Sequence, residues 1–320
     1  MTDAPAIEDQ APPFPEPAAA APAPTPADWA RILMLTAFWG SAFALIEVAL
    51  ETLSPTLIVT LRMWIGALFL LALAAILRSP LPRIWPRPDP AWKWILGVGL
   101  VGNTLPFFLI PWAQQTTNSG MTAIVLTTAP LFVALLAHFI VPGERLKARR
   151  ALGLLIAFVG VGVLFAPAIV SGAESAQAAA IAALLAAAFL YAVTAILARF
   201  NTHKAMVGGA AGVCLVAALA TTPFGLWDYF ANGVEFTARS AAAVTALGIG
   251  ASALATIIYM KTARSAGPSF LSLTNYIVPL FSVALGAFAL HERFELRAFA
   301  ALALILTGLL LAGRKRRVKT

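Results

Sequence analysis

Three ionisable side chains, Glu47, Arg62 and His138, sit inside long apolar stretches of this chain. A charge in hydrocarbon costs about 2.5–3.5 kcal/mol even on lenient insertion scales, so such groups pair, bind solutes or relay protons. At helical rise, Glu47 lies about 5 Å from the end of its stretch, and Arg62 about 9 Å into the next one. The similar depths and the short connection predict that Glu47 and Arg62 pair, or share a charged substrate, near the outer mouth of a cavity. A structural ion pair, or snorkelling of Glu47 to the interface, is the simpler alternative. His138 lies near the inner end of its stretch and reads as a structural group. A carboxylate paired with a cation stays ionised and makes a poor proton carrier, so these residues do not argue for proton antiport.

Uncharged polar and aromatic residues fall on helical stripes. Trp39, Phe43 and Glu47 recur at every fourth position. Asn103, Phe107 and Gln114 share one face of another stretch. Tyr191, Tyr259, Asn275 and Tyr276 are the matching candidates in the second half of the chain. Rings mixed with amides suit a pocket for a small amphipathic solute. Each could instead serve helix–helix hydrogen bonding or an interfacial aromatic belt. Pro130 and Pro279 stand inside apolar stretches and each removes a backbone donor. Interrupted helices in corresponding places point to a midplane site, so both are candidate hinges, with a plain packing kink as the rival.

These side chains need elements that can hold them in a bilayer, and the composition supplies them. Of 320 residues, 60% are hydrophobic and 11% charged, and the mean hydropathy is +0.86. A soluble domain has about 45–50% apolar and about 25% charged residues, so soluble-enzyme and nucleic-acid-binding classes are excluded. The net charge of +8 then reflects basic loops rather than a nucleic-acid partner. The lone cysteine, Cys214, allows no disulfide within the chain and reads as a small buried hydrophobe.

Ten stretches approach the ~20 residues a helix needs to span a bilayer. They are 31–50, 56–77, 92–112, 118–141, 150–169, 178–198, 205–224, 241–262, 268–290 and 297–313. With the N-terminus inside, the inner segments carry 18 of the 22 Lys and Arg residues. The outer segments carry Arg239, Arg293 and Arg297, and Arg62 lies within a span. This asymmetry places both termini in the cytoplasm, because one missed span would invert every later loop. Residues 1–28 are rich in Ala and Pro, acidic, and free of Lys and Arg, which predicts a disordered cytoplasmic tail. Residues 314–320 form a short basic tail.

The half-chains also resemble each other. Residues 126–150 read LTTAPLFVALLAHFIVPGERLKARR and residues 275–297 read NYIVPLFSVALGAFALHERFELR. Pro130-Leu131-Phe132 matches Pro279-Leu280-Phe281, and Glu144-Arg145 matches Glu292-Arg293 after a one-residue gap. The period of about 149 residues is far longer than a solenoid repeat, so each unit is a half-domain. Five helices per unit is an odd number, which puts the copies in opposite senses across the membrane. The fold class expected is all-α, with ten transmembrane helices in a 5+5 inverted repeat. Its units are residues 29–170 and 171–313.

Trp39-Gly40-Ser41, Ser54-Pro55 followed by Leu61-Arg62, the Pro130-Leu131-Phe132 helix with Gly143-Glu144-Arg145, and the second copy resemble the EamA family of the drug/metabolite transporter superfamily. The stretch GNTLPFFLIPWAQQTTNSGMTAIVLTTAPLF looks especially like bacterial members. The resemblance covers roughly residues 30–313. It implies ten helices around a central cavity and transport of small metabolites, frequently export of amino acids or toxic compounds. One position departs: Leu190-Tyr191 stands where many members carry a tryptophan.

No P-loop, zinc pair or nucleophile elbow is present, so neither ATP hydrolysis nor enzyme chemistry is expected. The expectation is a secondary transporter of the bacterial inner membrane, without cofactor, exporting amino acids or amphipathic amines by alternating access. Its partners are the small-molecule substrate and the bilayer. The sequence leaves the oligomeric state open, and a monomer suffices. An uptake permease of the same fold, a lipid-modifying membrane enzyme and a non-transporting receptor are the alternatives.

Overall fold

A computed structural model describes residues 23–141, 146–171, 175–198 and 205–313, and these are helical with no strand among them. In chain order the helices are α1 (Pro26–Leu50), α2 (Pro55–Ile76), α3 (Ala91–Gln114), α4 (Ser119–Ile140), α5 (Ala148–Ser171), α6 (Ser175–Ala198), α7 (Met206–Asn232), α8 (Ala238–Ser265), α9 in two pieces (Gly267–Leu271 and Thr274–Ala289) and α10 (Leu296–Gly313). Seven of them, α1 to α4 and α6 to α8, are long and apolar enough to cross a membrane. The second piece of α9 and most of α10 are shorter apolar helices. Large apolar side chains such as Leu68, Leu155, Leu219 and Phe288 point outward uncovered. That suits hydrocarbon and would be a liability in water.

Local chemistry sets the helix starts. The Thr25 side chain accepts from the Asp28 amide while Asp28 bonds back, a capping box with Pro26 in the first turn. Ser54 caps α2 ahead of Pro55, Asn118 caps α4, and Thr237 with Ser240 caps α8. Helix α1 therefore begins inside the stretch expected to be a disordered tail. Its first turn is tied down, because Asp28 Oδ1 accepts from Arg31 Nη1 at 2.6 Å and from Ser265 Oγ, at the end of α8, at 2.5 Å. The rest of that tail through residue 22, the Gly143-Glu144-Arg145 motif, Arg199, Lys204 and the basic tail lie outside the described residues. A second difference concerns α7, which runs to Asn232 rather than stopping at 224. Its only acid, Asp228, is buried and satisfied by Ser54 Oγ and by Asn232 Nδ2, so the polar residue does not end the helix.

Packing is reciprocal. The main contacts are α1 with α9 and α6 with α4; α1 with α8 and α6 with α3; α2 with α8 and α7 with α3. Each pair has a partner in which every helix is replaced by the one five places along the chain. Contacts α2 with α7, α4 with α9 and α5 with α10 map onto themselves. Helices α3 and α8 each carry a π-helical segment, Val98–Thr104 and Leu247–Leu254. The two begin about 149 residues apart, the spacing of the Pro-Leu-Phe motifs. Such wide turns are rare and cluster at functional sites.

Candidate functional site

The centre of the bundle is built around one close crossing. A Cβ on Gly66 would lie 3.2 Å from the Gly248 carbonyl, and a Cβ on Gly248 would lie 2.7 Å from Ile65 Cβ. Two glycines thus let α2 lie directly on the π segment of α8. Arg62, one turn before Gly66, then reaches Ser252, one turn after Gly248. Its Nε donates to Ser252 Oγ at 2.8 Å. The guanidinium carbon sits 3.8 Å from the ring centroid of Phe107, which follows the π segment of α3. Tyr191 on α6 stands edge-on to Phe107, with centroids 6.5 Å apart.

Arg62 is only 5% exposed, and no carboxylate of a described residue pairs with it. The titratable groups close enough to feel its charge are Tyr191 and Cys214, both neutral at physiological pH. Its terminal nitrogens donate to no described residue. A charged hydrogen bond contributes about 1.5–3 kcal/mol and a desolvated cation–π contact about 2 kcal/mol. Together these offset the ~2.5–3.5 kcal/mol cost of holding the cation in the bilayer. Arg62 is therefore stable as a cation, and its charge stays unneutralised.

The second half repeats the aromatic pair but not the charge. Trp39 on α1 and Tyr259 on α8 have centroids 5.6 Å apart. The α1–α8 interface that holds this pair is the reciprocal of the α6–α3 interface that holds Phe107 and Tyr191. Gly99 meets the Val213 carbonyl and Val216 as Gly248 meets the Arg62 carbonyl and Ile65, so Val213 of α7 stands where Arg62 stands on α2. A cation in one half corresponds to an apolar side chain in the other.

Glu47 does not meet Arg62, contrary to the pairing expected from depth. Its Oε2 accepts from the Ser119 amide at 3.0 Å, at the start of α4. Glu292, between α9 and α10, accepts from the same amide at 3.0 Å, from Ser119 Oγ, and from the Gly120 amide at 3.1 Å. Equal depth along neighbouring helices left the azimuth open, and the bare amides of a helix N-terminus bind carboxylates well. Three chain segments, α1, α4 and the α9–α10 connection, are fastened at this point.

The remaining candidates divide between the centre and the packing. Gln114 is buried, and its Nε2 donates to the Phe43 carbonyl at 2.9 Å, so it joins α3 to α1. Phe43, Trp39, Tyr191 and Tyr276 pack on the main apolar core. Asn103 lies in the π segment of α3, and Asn275 in the second piece of α9. His138 Nδ1 accepts from the Leu146 amide at 3.1 Å, a structural role. Pro130 opens the second part of α4 after a break at Thr127-Thr128. Pro279 lies within a continuous helix, and the break in α9 comes earlier, at Ser272-Leu273.

Sequence reasoning missed Ser252, Ser119, Glu292 and Asp228. Ser252 and Ser119 carry no signal of their own. Glu292 was visible only as half of a repeated Glu-Arg motif. A groove of about 710 Å³ between α1 and α8, lined by Phe38, Leu45 and Ile249 among others, holds no charged residue and is separate from the Arg62 cluster.

Comparison with known proteins places the chain. The model of the EamA-like transporter family matches residues 29–166 and again residues 178–314. An uncharacterized transporter of Archaeoglobus fulgidus is 25% identical over 90% of this chain and 99% of its own length. The uncharacterized transporter YoaV of Bacillus subtilis is 20% identical over 87% and 94%. Protein PagO of Salmonella typhimurium is 25% identical over 79% and 82%. A protein of known crystal structure shares the fold with a TM-score of 0.63, at 22% identity over 89% of this chain and 96% of that one.

Proposed function

The chain belongs to the EamA-like transporter family, and from that membership we propose that it is a secondary, non-ATP-driven transporter of small organic metabolites, working by alternating access. The bilayer-spanning scheme is ten helices in a 5+5 inverted repeat, with both termini cytoplasmic. The two family matches and the reciprocal packing support it. A bacterial inner membrane fits relatives from Bacillus and Salmonella. Export is the direction the family resemblance favours.

The observation that carries a transport site is Arg62. A buried cation with no described counter-ion, stacked on Phe107 with Tyr191 edge-on to that ring, at the crossing of α2, α3, α6 and α8, is a solute-receiving arrangement. It lies where the two units meet, the place such carriers use for binding. The lipid-enzyme alternative needs clustered ionisable groups for acid–base work at one interface. The Glu47–Glu292 pair is engaged with helix amides instead.

Counterflow in liposomes loaded with unlabelled solute tests the reading. Purified full-length protein should accumulate labelled solute from a panel of amino acids, organic acids, nucleosides and amines, without ATP. A panel-wide absence of exchange by folded protein would refute transport.

A further inference from the structure

We propose that Arg62 is the anion-receiving group of the central site, and that the solute is an organic monocarboxylate whose apolar body lies against Phe107 and Tyr191. The inference rests on the reading of this centre as a transport site. It narrows that reading, because it sets aside the amphipathic amines admitted by the sequence.

The argument begins with the acids around Arg62. Helix α2 packs against α7, α8, α3 and, more lightly, α1. On α7 the only carboxylate is Asp228, which is held at the far end of α2 by Ser54 and Asn232. Helices α3 and α8 carry no Asp or Glu at all. On α1, Asp28 pairs with Arg31 at 2.6 Å, Glu47 is fastened to the Ser119 amide, and Glu51, just past its end, pairs with Arg239 at 3.2 Å. Every described acid on these helices is engaged elsewhere. What faces Arg62 is neutral: Ser252, Phe107, Tyr191 and Cys214.

An amine entering this centre meets a cation and no acid to receive it. A carboxylate meets the reverse. Nε is occupied by Ser252, but the terminal nitrogens have no described partner, so one edge of the planar fork lacks an acceptor. That edge matches the two oxygens of a carboxylate. A single unneutralised charge balances a monoanion. A phosphate dianion would bring a second negative charge with no group to receive it. The Phe107 face covers one side of the guanidinium, and Tyr191 extends the apolar wall, which suits an aryl or branched alkyl body.

The test uses the full chain in nanodiscs. Phenylacetate and 4-methylpentanoate are titrated against their amides, the corresponding amines and phenyl phosphate, with binding read by calorimetry. At least one carboxylate should bind tenfold or more tighter than its amide, its amine and phenyl phosphate. Arg62→Gln should abolish that preference, and Arg62→Lys should restore part of it. Equal or tighter binding of the amides or amines overturns the proposal, as does a carboxylate preference that survives Arg62→Gln. If Arg62→Gln does not fold, the wild-type ranking alone decides. Counterflow separates the two levels. Arg62-dependent carboxylate binding without exchange of any solute leaves this inference standing and removes the transport reading. Exchange of amines but not acids does the opposite.

Discussion

Glu47 and Glu292 present two carboxylates to one amide donor, that of Ser119, and no ion pair reaches either among the described residues. The two do not contribute alike. Glu292 makes three contacts at the start of α4, and Glu47 makes one. Glu292→Ala should therefore lower stability by about 1–3 kcal/mol, the cost of leaving buried donors unpaired. Glu47→Gln should be neutral or stabilising, since it removes a like charge and keeps an acceptor. Thermal unfolding of the purified variants checks both, and the reverse order would refute this division of roles. Arg62 shows the limit of reading residues singly. Its type and depth marked it as costly, hence paired or functional, and the direct pairing with Glu47 is not what the structure shows. Sequence depth does not say which way a side chain turns.

Among the elements, α2 and α8 depend on their glycine crossing. A Cβ at Gly248 would come within 3.1 Å of the Arg62 carbonyl as well as pressing on Ile65. Gly248→Leu should cost about 1–3 kcal/mol in overpacking and spread the two helices. The Arg62–Ser252 bond would part, and counterflow should fall at least tenfold while the protein still inserts. Wild-type exchange by this variant would show that the crossing does not position the site. The prolines act at the same scale. Pro130 begins a helix after a break and Pro279 lies inside one, so the proposed hinges are not equivalent. Pro130→Ala should slow exchange several-fold and Pro279→Ala less. Unchanged rates in both would reduce them to packing features. The breaks were legible from the prolines only approximately, and the π segments not at all. A wide turn depends on what packs against it, and Val98–Thr104 looks like any apolar stretch.

At the scale of the whole molecule, the reciprocal contacts link architecture to motion. In the alternating access proposed above, two units with reciprocal packing exchange conformations, which opens one face and then the other. The proposal requires an odd number of spans per unit, so the two chain ends lie on one side. Fluorescent-protein fusions to either terminus should be bright, and alkaline-phosphatase fusions silent. Activity of the phosphatase at one end alone would break the inverted scheme. The charge at Arg62 has an uncharged counterpart in the other unit, Val213. In the proposed scheme the reciprocal packing serves the motion and the charge at Arg62 serves selectivity.

The sequence by itself determined the membrane class, the helical content, the repeat and the family, because each is written in composition, periodicity and motif. It also singled out Arg62 and the aromatic stripes, since a cation or an amide in an apolar run is conspicuous. Only the tertiary structure decided that Glu47 joins Glu292 at Ser119, that Asp228 serves Ser54, and that Ser252 and Phe107 receive Arg62. The physical reason is that a helix sequence fixes spacing along and around its own axis, whereas contact depends on the rotation and crossing point of two helices. Small residues such as Gly66 and Gly248, which carry no chemistry of their own, set that crossing.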